Sequence, residues 1–427
     1  MFKLSVIEEL LAHVDKNKEE LLALVQTLVA YPTPSPPARN TADAQQYIRT
    51  YCEKLGCNVD MWDVYPNDPN VVAVLKGTYS ESYRSLILNG HIDVAAVDES
   101  EEWKTPPFEA TVNQGVIRGR GVADMKGGLA ACLFAMKTLH AFNIQLPGDL
   151  IFQSVVGEEV GEAGTKSCCE RGYTADLAIV SDTSHCEIQG QGGVITGWIT
   201  VKSPVTFHDG TRRNLIHAGG GEFGASAIEK MMKLIQGLQE LERHWAVTKS
   251  SPGFPPGMNT INPAFIEGGR HPAFIADECK LWITIHYYPH ESYEEIVREV
   301  EEHLLHVAKA DPWMREHPPS FSWGGTSMIE DKGEIFPAFQ IDEQSDAVQL
   351  LKKIHYHLTG EEVKTSMSQT VTDGGWLAEA GIPTLLFGPG KLEDAHSVNE
   401  ELEIAELVQY TKTLLTFIYE WCHLRKA

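Results

Sequence analysis

Four times in this chain a short run of branched apolar residues ends, within a few positions, in a histidine or a carboxylate. Leu86-Ile87-Leu88 leads to His91 and Asp93, and the run at 149–156 leads to Glu158-Glu159. Ala178-Ile179-Val180 leads to Asp182, and Thr384-Leu385-Leu386-Phe387 leads through Gly388-Pro389-Gly390 to His396. Apolar runs this short read as buried strands. With helical spacing at 127–142, 346–358 and 403–421, they alternate as an α/β sheet does. Open α/β sheets gather ligands at the loops beyond the carboxyl ends of their strands, where these polar residues fall.

The middle of the chain follows another pattern. Residues 7–30 have the apolar spacing of an amphipathic helix, the proline-rich stretch 31–37 ends it, and a second helix is expected at 41–55. Around 191 the residues begin to alternate like a half-exposed strand. A helix at 224–242, a Pro- and Gly-rich loop, a strand at 279–288 and a helix at 293–308 follow. From 334 the α/β pattern returns. A chain of 427 residues, 43% hydrophobic, exceeds what one core usually absorbs. We therefore expect a first domain in two parts, 1–190 and 311–427, with 191–310 inserted between them.

Composition excludes some partners. Asp and Glu number 59 against 35 Lys and Arg, a formal charge of -24 that argues against nucleic acid and anionic membrane. Acidic residues interrupt the N-terminal segment before a signal-length apolar run forms, and no stretch reaches membrane-span length, so a cytoplasmic location is expected. The eight cysteines include no Cys-x-x-Cys pair, and the adjacent Cys168-Cys169 read as ordinary free thiols.

The polar residues carry chemistry in combination. His91 would ligate a metal while Asp93 fixes its ring through the other nitrogen. A lone histidine is more often an ordinary core or surface residue, so this pair means little alone. The segment 119–128 is glycine-rich and precedes a helix, but its spacing is not that of a phosphate loop, and Asp124 stands where the anion would lie. A carboxylate there can bridge two cations. Glu158 and Glu159, adjacent at a buried strand end, are costly unless a metal or proton neutralises them. One can bind metal while the other takes a proton from metal-activated water. We assign Glu159 as ligand and Glu158 as general base. Asp182 and His396 complete the set of strand-end candidates.

Through His91-Ile92-Asp93, the segment 119–128, Glu158-Glu159 and Ala395-His396-Ser397, the chain resembles the zinc aminoacylase, acetylornithine deacetylase and succinyl-diaminopimelate desuccinylase family over nearly its whole length. The resemblance implies two zinc ions bridged by Asp124, one completed by His91 and Asp182, the other by Glu159 and His396. It implies an α/β two-zinc catalytic domain of the phosphorylase/hydrolase-like type, with an inserted ferredoxin-like α+β lid at 191–310 through which a homodimer forms. It also implies a lid histidine that reaches the partner's oxyanion. His217 matches that position, with His208 second.

Two departures bear on the substrate. Where many relatives hold a carboxylate with Asn and Arg, this chain places Ala273 and His286, and Gly374-Gly375-Trp376 follows Thr372-Asp373 where Ala-Arg is common. Without bidentate arginines a substrate carboxylate would be poorly paired. Trp376 offers a flat surface for an aromatic ring. Together with the segments 206–213 and Gly375-Trp376, these features resemble the formylaminopyrimidine deformylase branch used in thiamin salvage, which implies hydrolysis of a formylated aminomethylpyrimidine to amine and formate. The residues alone reach only a neutral or basic N-acyl amide. The other readings are an N-acyl-amino-acid deacylase or dipeptidase, and a catalytically dead metal-binding dimer. Cobalt or manganese would fit the same nitrogen and oxygen donors.

Overall fold

A computed structural model describes residues 2–213 and 224–426. They form two compact units, Met1–Gln191 with Phe339–Ala427, and Gly192–Ala338.

The first unit is built on an eight-stranded sheet. Its spatial order is Thr365–Ser368, Ile188–Gln191, Thr384–Leu386, Ala178–Val180, Leu86–His91, Leu150–Val155, Asp68–Leu75 and Asn58–Tyr65. The middle four strands run parallel, so their carboxyl ends share one edge. From Leu86–His91 the chain adds Leu150–Val155 on one side and later Ala178–Val180 on the other. His91 therefore stands at a topological switch point, where such sheets open a crevice. Helices Gly127–Ala141 and Ile404–Cys422 are mostly buried on the sheet's core side. Each fully buried Leu or Phe there stabilises the fold by about 1.5–3 kcal/mol. Gly128 permits the close approach: a Cβ would lie 1.9 Å from the Ser181 main-chain oxygen. That contact brings the start of the helix, just after Asp124, against the strand end that carries Asp182.

Residues 7–30 form two helices rather than one, Phe2–Lys16 and Lys18–Val29, broken at Asn17 with φ -111° and ψ 24°. The pair keeps one apolar face, so periodicity ran through the break.

The second unit has the order strand Gly193–Lys202, helix Ala227–Thr248, strands Ile261–Gly268 and Glu278–Tyr287, helix Tyr293–Ala310, strand Ser320–Trp323. This is a βαββαβ succession. Its antiparallel sheet runs Ile261–Gly268, Glu278–Tyr287, Gly193–Lys202, Ser320–Trp323, the arrangement of a ferredoxin-like unit. Helix Tyr293–Ala310 starts at a reciprocal cap between Ser292 and Glu295. The unit reaches past 310, because Ser320–Trp323 and Ile335–Phe336 both pair with Gly193–Lys202. Strand Ile261–Gly268 lies inside the stretch expected to be loop. It is an exposed edge strand with a register shift after Pro263, and an edge tolerates proline.

Candidate metal centre

Six polar residues converge in the first unit. His91 Nε2 lies 3.1 Å from Asp124 Oδ1, 3.7 Å from Asp182 Oδ2 and 3.9 Å from Glu158 Oε2. His396 Nε2 lies 3.3 Å from Asp124 Oδ2 and 2.8 Å from Glu159 Oε2. Asp124 thus faces one histidine with each oxygen. His91, Asp124 and Glu159 each offer a ligand atom, and the three atoms lie within 4.8 Å of one another.

Asp93 differs from its expected role. His91 Nδ1 is 2.9 Å from the Asp93 main-chain oxygen and 3.7 Å from its carboxylate. A carbonyl only accepts, so Nδ1 carries a ring proton, and Nε2 is the nitrogen turned towards Asp124. The Asp93 carboxylate instead accepts the Gly157 and Glu159 N–H groups at 2.9 and 3.1 Å. It holds the turn that presents the two glutamates. That turn begins at Gly157, whose φ of 85° favours glycine.

The electrostatics call for positive charge. Burial raises Glu158 well above the usual carboxylate range, with Asp182, Glu159 and Asp373 adding to the rise against His91. Burial and the Asp124 charge lift Glu159 to about 7, and they also raise Asp182. Burial alone would lower His91, but Asp124 and Asp182 raise it, and Asp124 and Glu159 raise His396 to about 11. The carboxylates draw protons onto the histidines, a demand that divalent cations would meet. Glu159 Oε1 is buried without a hydrogen-bond partner among the described residues, which suits a metal ligand. The donors fit a borderline metal such as zinc: two imidazoles and three carboxylates, adjacent to the further carboxylate Glu158.

Sequence reasoning missed three groups here. Asp373 is buried, and neither carboxylate oxygen has a hydrogen-bond partner among the described residues. Burial lifts it to about 7. Arg120 and Glu400 form a buried ion pair at 2.9 Å. A glutamate four residues after a strand-end histidine was the available signal. Trp376 is only 7% exposed, with Lys166 Nζ 5.4 Å from its ring centre, so it is not the open aromatic wall expected. His217 lies outside the described residues. His208 is exposed in the second unit, where its Nδ1 accepts the Gly210 N–H at 3.1 Å and lies 2.9 Å from Asp209 Oδ1.

The model of Peptidase family M20/M25/M40 matches residues 87–420. The chain belongs to that family. It is accordingly a metal-dependent hydrolase of amide bonds. The N-formyl-4-amino-5-aminomethyl-2-methylpyrimidine deformylase of Bacillus subtilis (strain 168) is 60% identical over 413 residues, 97% of each chain. The acetylornithine deacetylase of Proteus mirabilis (strain HI4320) is 26% identical over 95% of this chain and 98% of its own. Among solved structures, a Staphylococcus aureus tripeptidase shares the fold with TM-score 0.71 and 21% identity, covering 96% of this chain and 99% of that one. A dinuclear metal-binding M20 peptidase of Bacillus subtilis gives TM-score 0.64 at 17% identity, covering 95% and 99%. Among the described residues no helix is long and apolar enough to cross a membrane.

Proposed function

We propose that this member of the family removes the formyl group from N-formyl-4-amino-5-aminomethyl-2-methylpyrimidine, releasing formate and the free amine, at a centre of two zinc ions. The observation that carries the substrate is the 60% identity, over 97% of the chain, to a deformylase of that compound. Absence of carboxylate-gripping arginines at Ala273, His286 and Gly375 agrees with a substrate that has no carboxylate.

In this reading His91 and Asp182 hold one ion, Glu159 and His396 the other, and Asp124 is shared. The opposed faces of Asp124, 3.1 Å from one histidine and 3.3 Å from the other, support that sharing. When bound, the ions would polarise the formyl carbonyl and acidify the attacking water. Glu158 takes the proton from that water and returns it to the departing amine nitrogen. Its carboxylate, 3.9 Å from His91 Nε2, stands beside the ligands where that proton is handed over. Asp93 keeps Glu158 and Glu159 in place through the Gly157 and Glu159 N–H groups.

The unit Gly192–Ala338 serves as the lid and dimer interface in this reading. It exposes Ile228, Met232, Phe265 and Ile266, an apolar surface that a second copy would cover. His217 would cross to the partner's centre as the oxyanion donor. A cytoplasmic location agrees with eight free cysteines.

The test is kcat/KM on zinc-loaded enzyme for the formylpyrimidine, its acetyl analogue and N-acetylornithine. The formyl compound should lead the acetyl one by about 10- to 100-fold, the usual discrimination for one extra carbon in a fitted pocket. Preference for N-acetylornithine would leave the family assignment and remove the pyrimidine.

A further inference from the structure

His396 is an awkward ligand to hold. Its side chain is 59% exposed, its φ is 58°, and it lies on a turn segment with no helix or strand between Leu386 and Glu401. Packing does not fix it, so its backbone must be fixed some other way. Four residues on, Glu400 is buried with its side chain fully excluded from solvent. One of its oxygens accepts the Ala123 and Asp124 N–H groups at 2.8 and 3.0 Å. The other accepts the Gly121 N–H and Arg120 Nη1, each at 2.9 Å. Arg120 in turn points Nη1 at the Ser397 carbonyl, 3.3 Å away, and Nη2 at the His396 carbonyl, 3.4 Å away.

We infer that the buried Arg120–Glu400 pair is the positioning device of one half of the metal centre, locking the Asp124 loop and the His396 turn into a single rigid piece. This rests on the ligand reading above. Three main-chain donors and a guanidinium meet two carboxylate oxygens, and only an anion with both oxygens free satisfies all four. The peptide N–H of Asp124 itself is among them, so the carboxylate sets the direction from which Asp124 reaches the metals. His91 and Asp182 make no such contact with Glu400. The device therefore acts most strongly on the Glu159–His396 site, where it holds both Asp124 and His396, and reaches the other site only through the shared Asp124.

The test is titration of metal-free protein with zinc, followed by calorimetry, and with cobalt, followed by its visible absorption. Wild type should show two tight sites. Glu400→Gln replaces an acceptor by an NH2 that faces two donors. It should weaken one site by about 10- to 100-fold, the usual cost of losing a partner that orients a ligand, and the other, reached only through Asp124, clearly less. The cobalt spectrum of the second equivalent should change, and kcat should fall with KM within about threefold. Arg120→Lys, which keeps the charge but not the fork, should move the same readouts less far and carries the test if Glu400→Gln does not fold. His396→Ala is the control. If it loses one site while both other variants keep two wild-type sites, or weaken both sites equally, the positioning role is overturned and the ligand reading stands. If His396→Ala itself keeps both sites, the ligand reading falls.

Discussion

Each unit of the molecule buries acidic groups, and they are treated in opposite ways. In Gly192–Ala338, Asp311 is 1% exposed and fully served. One oxygen accepts the Trp313 and Met314 N–H groups, both at 2.9 Å, and Lys230 and Lys233 close on the carboxylate at 2.9 and 2.5 Å. Burial alone would raise its pKa, yet these partners hold it well below the usual range. In the first unit one oxygen of Glu159 and both of Asp373 are buried without a hydrogen-bond partner among the described residues, although the other Glu159 oxygen faces His396, and burial lifts each carboxyl to about 7. A buried charge paired within the chain is architecture. A buried charge left unpaired costs several kcal/mol and persists where something from outside completes it. Glu400 belongs with Asp311 by this measure, although it stands beside the metal centre.

The largest expected effect breaks the chemistry while leaving the cage intact. Glu158→Gln should lose about 10²- to 10⁴-fold in kcat, the usual contribution of a general acid–base, because an amide cannot accept the proton. Bound metal, measured on the same preparation, should stay at two ions per chain. A variant that loses metal would place Glu158 among the ligands instead.

The ligand half of this contrast was legible in the sequence, whereas Asp311, Asp373 and Glu400 were not, for physical reasons. The strand ends at His91, Glu159 and Asp182 stood out because buried parallel strands are near-continuous apolar runs, so a polar residue after one is conspicuous. Strands Ile188–Gln191 and Thr365–Ser368 gave no such signal, since Gln189, Gly190, Thr365 and Ser366 carry no apolar pattern. Strand Ile261–Gly268 was hidden by Pro263, which only an exposed edge accommodates. At the site, the i, i+2 spacing of His91 and Asp93 suggested a side-chain pair. The strand ends at His91, so the chain turns and offers the Asp93 carbonyl to the ring. Glu400 acts across more than 270 residues of sequence, on partners that spacing cannot identify.

A smaller effect would sharpen the comparison from the side of the second unit. His217→Ala should lower kcat by about 10²- to 10³-fold with little change in KM, because an oxyanion donor is needed chiefly in the transition state. Mixed with Glu158→Gln protein under conditions that exchange subunits, it should regain part of the activity, since one heterodimer site then combines an intact base with the partner's intact histidine. Failure to recover would assign the histidine to its own chain or move the role to His208.

The smallest effect is on stability rather than rate, and it asks whether Asp311 is architecture alone. Asp311→Asn keeps the shape but removes the charge that two ammonium groups and two N–H groups serve, and charge-assisted hydrogen bonds of this kind contribute about 1.5–3 kcal/mol each way they are broken. The non-additive loss should amount to about 2–3 kcal/mol at pH 7, read as a lower denaturant midpoint for the native enzyme. The sign with pH follows from the depressed pKa. The unfolded chain binds the proton near pH 4 and the folded one only well below that, so the aspartate's advantage is full above about pH 4 to 5 and fades as pH falls further. The gap between wild type and Asp311→Asn should therefore begin to narrow between about pH 5 and pH 3 without closing, while kcat/KM at pH 7 stays within about twofold. A variant that keeps wild-type stability but loses turnover would put Asp311 on the functional side and dissolve the distinction between the two kinds of buried acid.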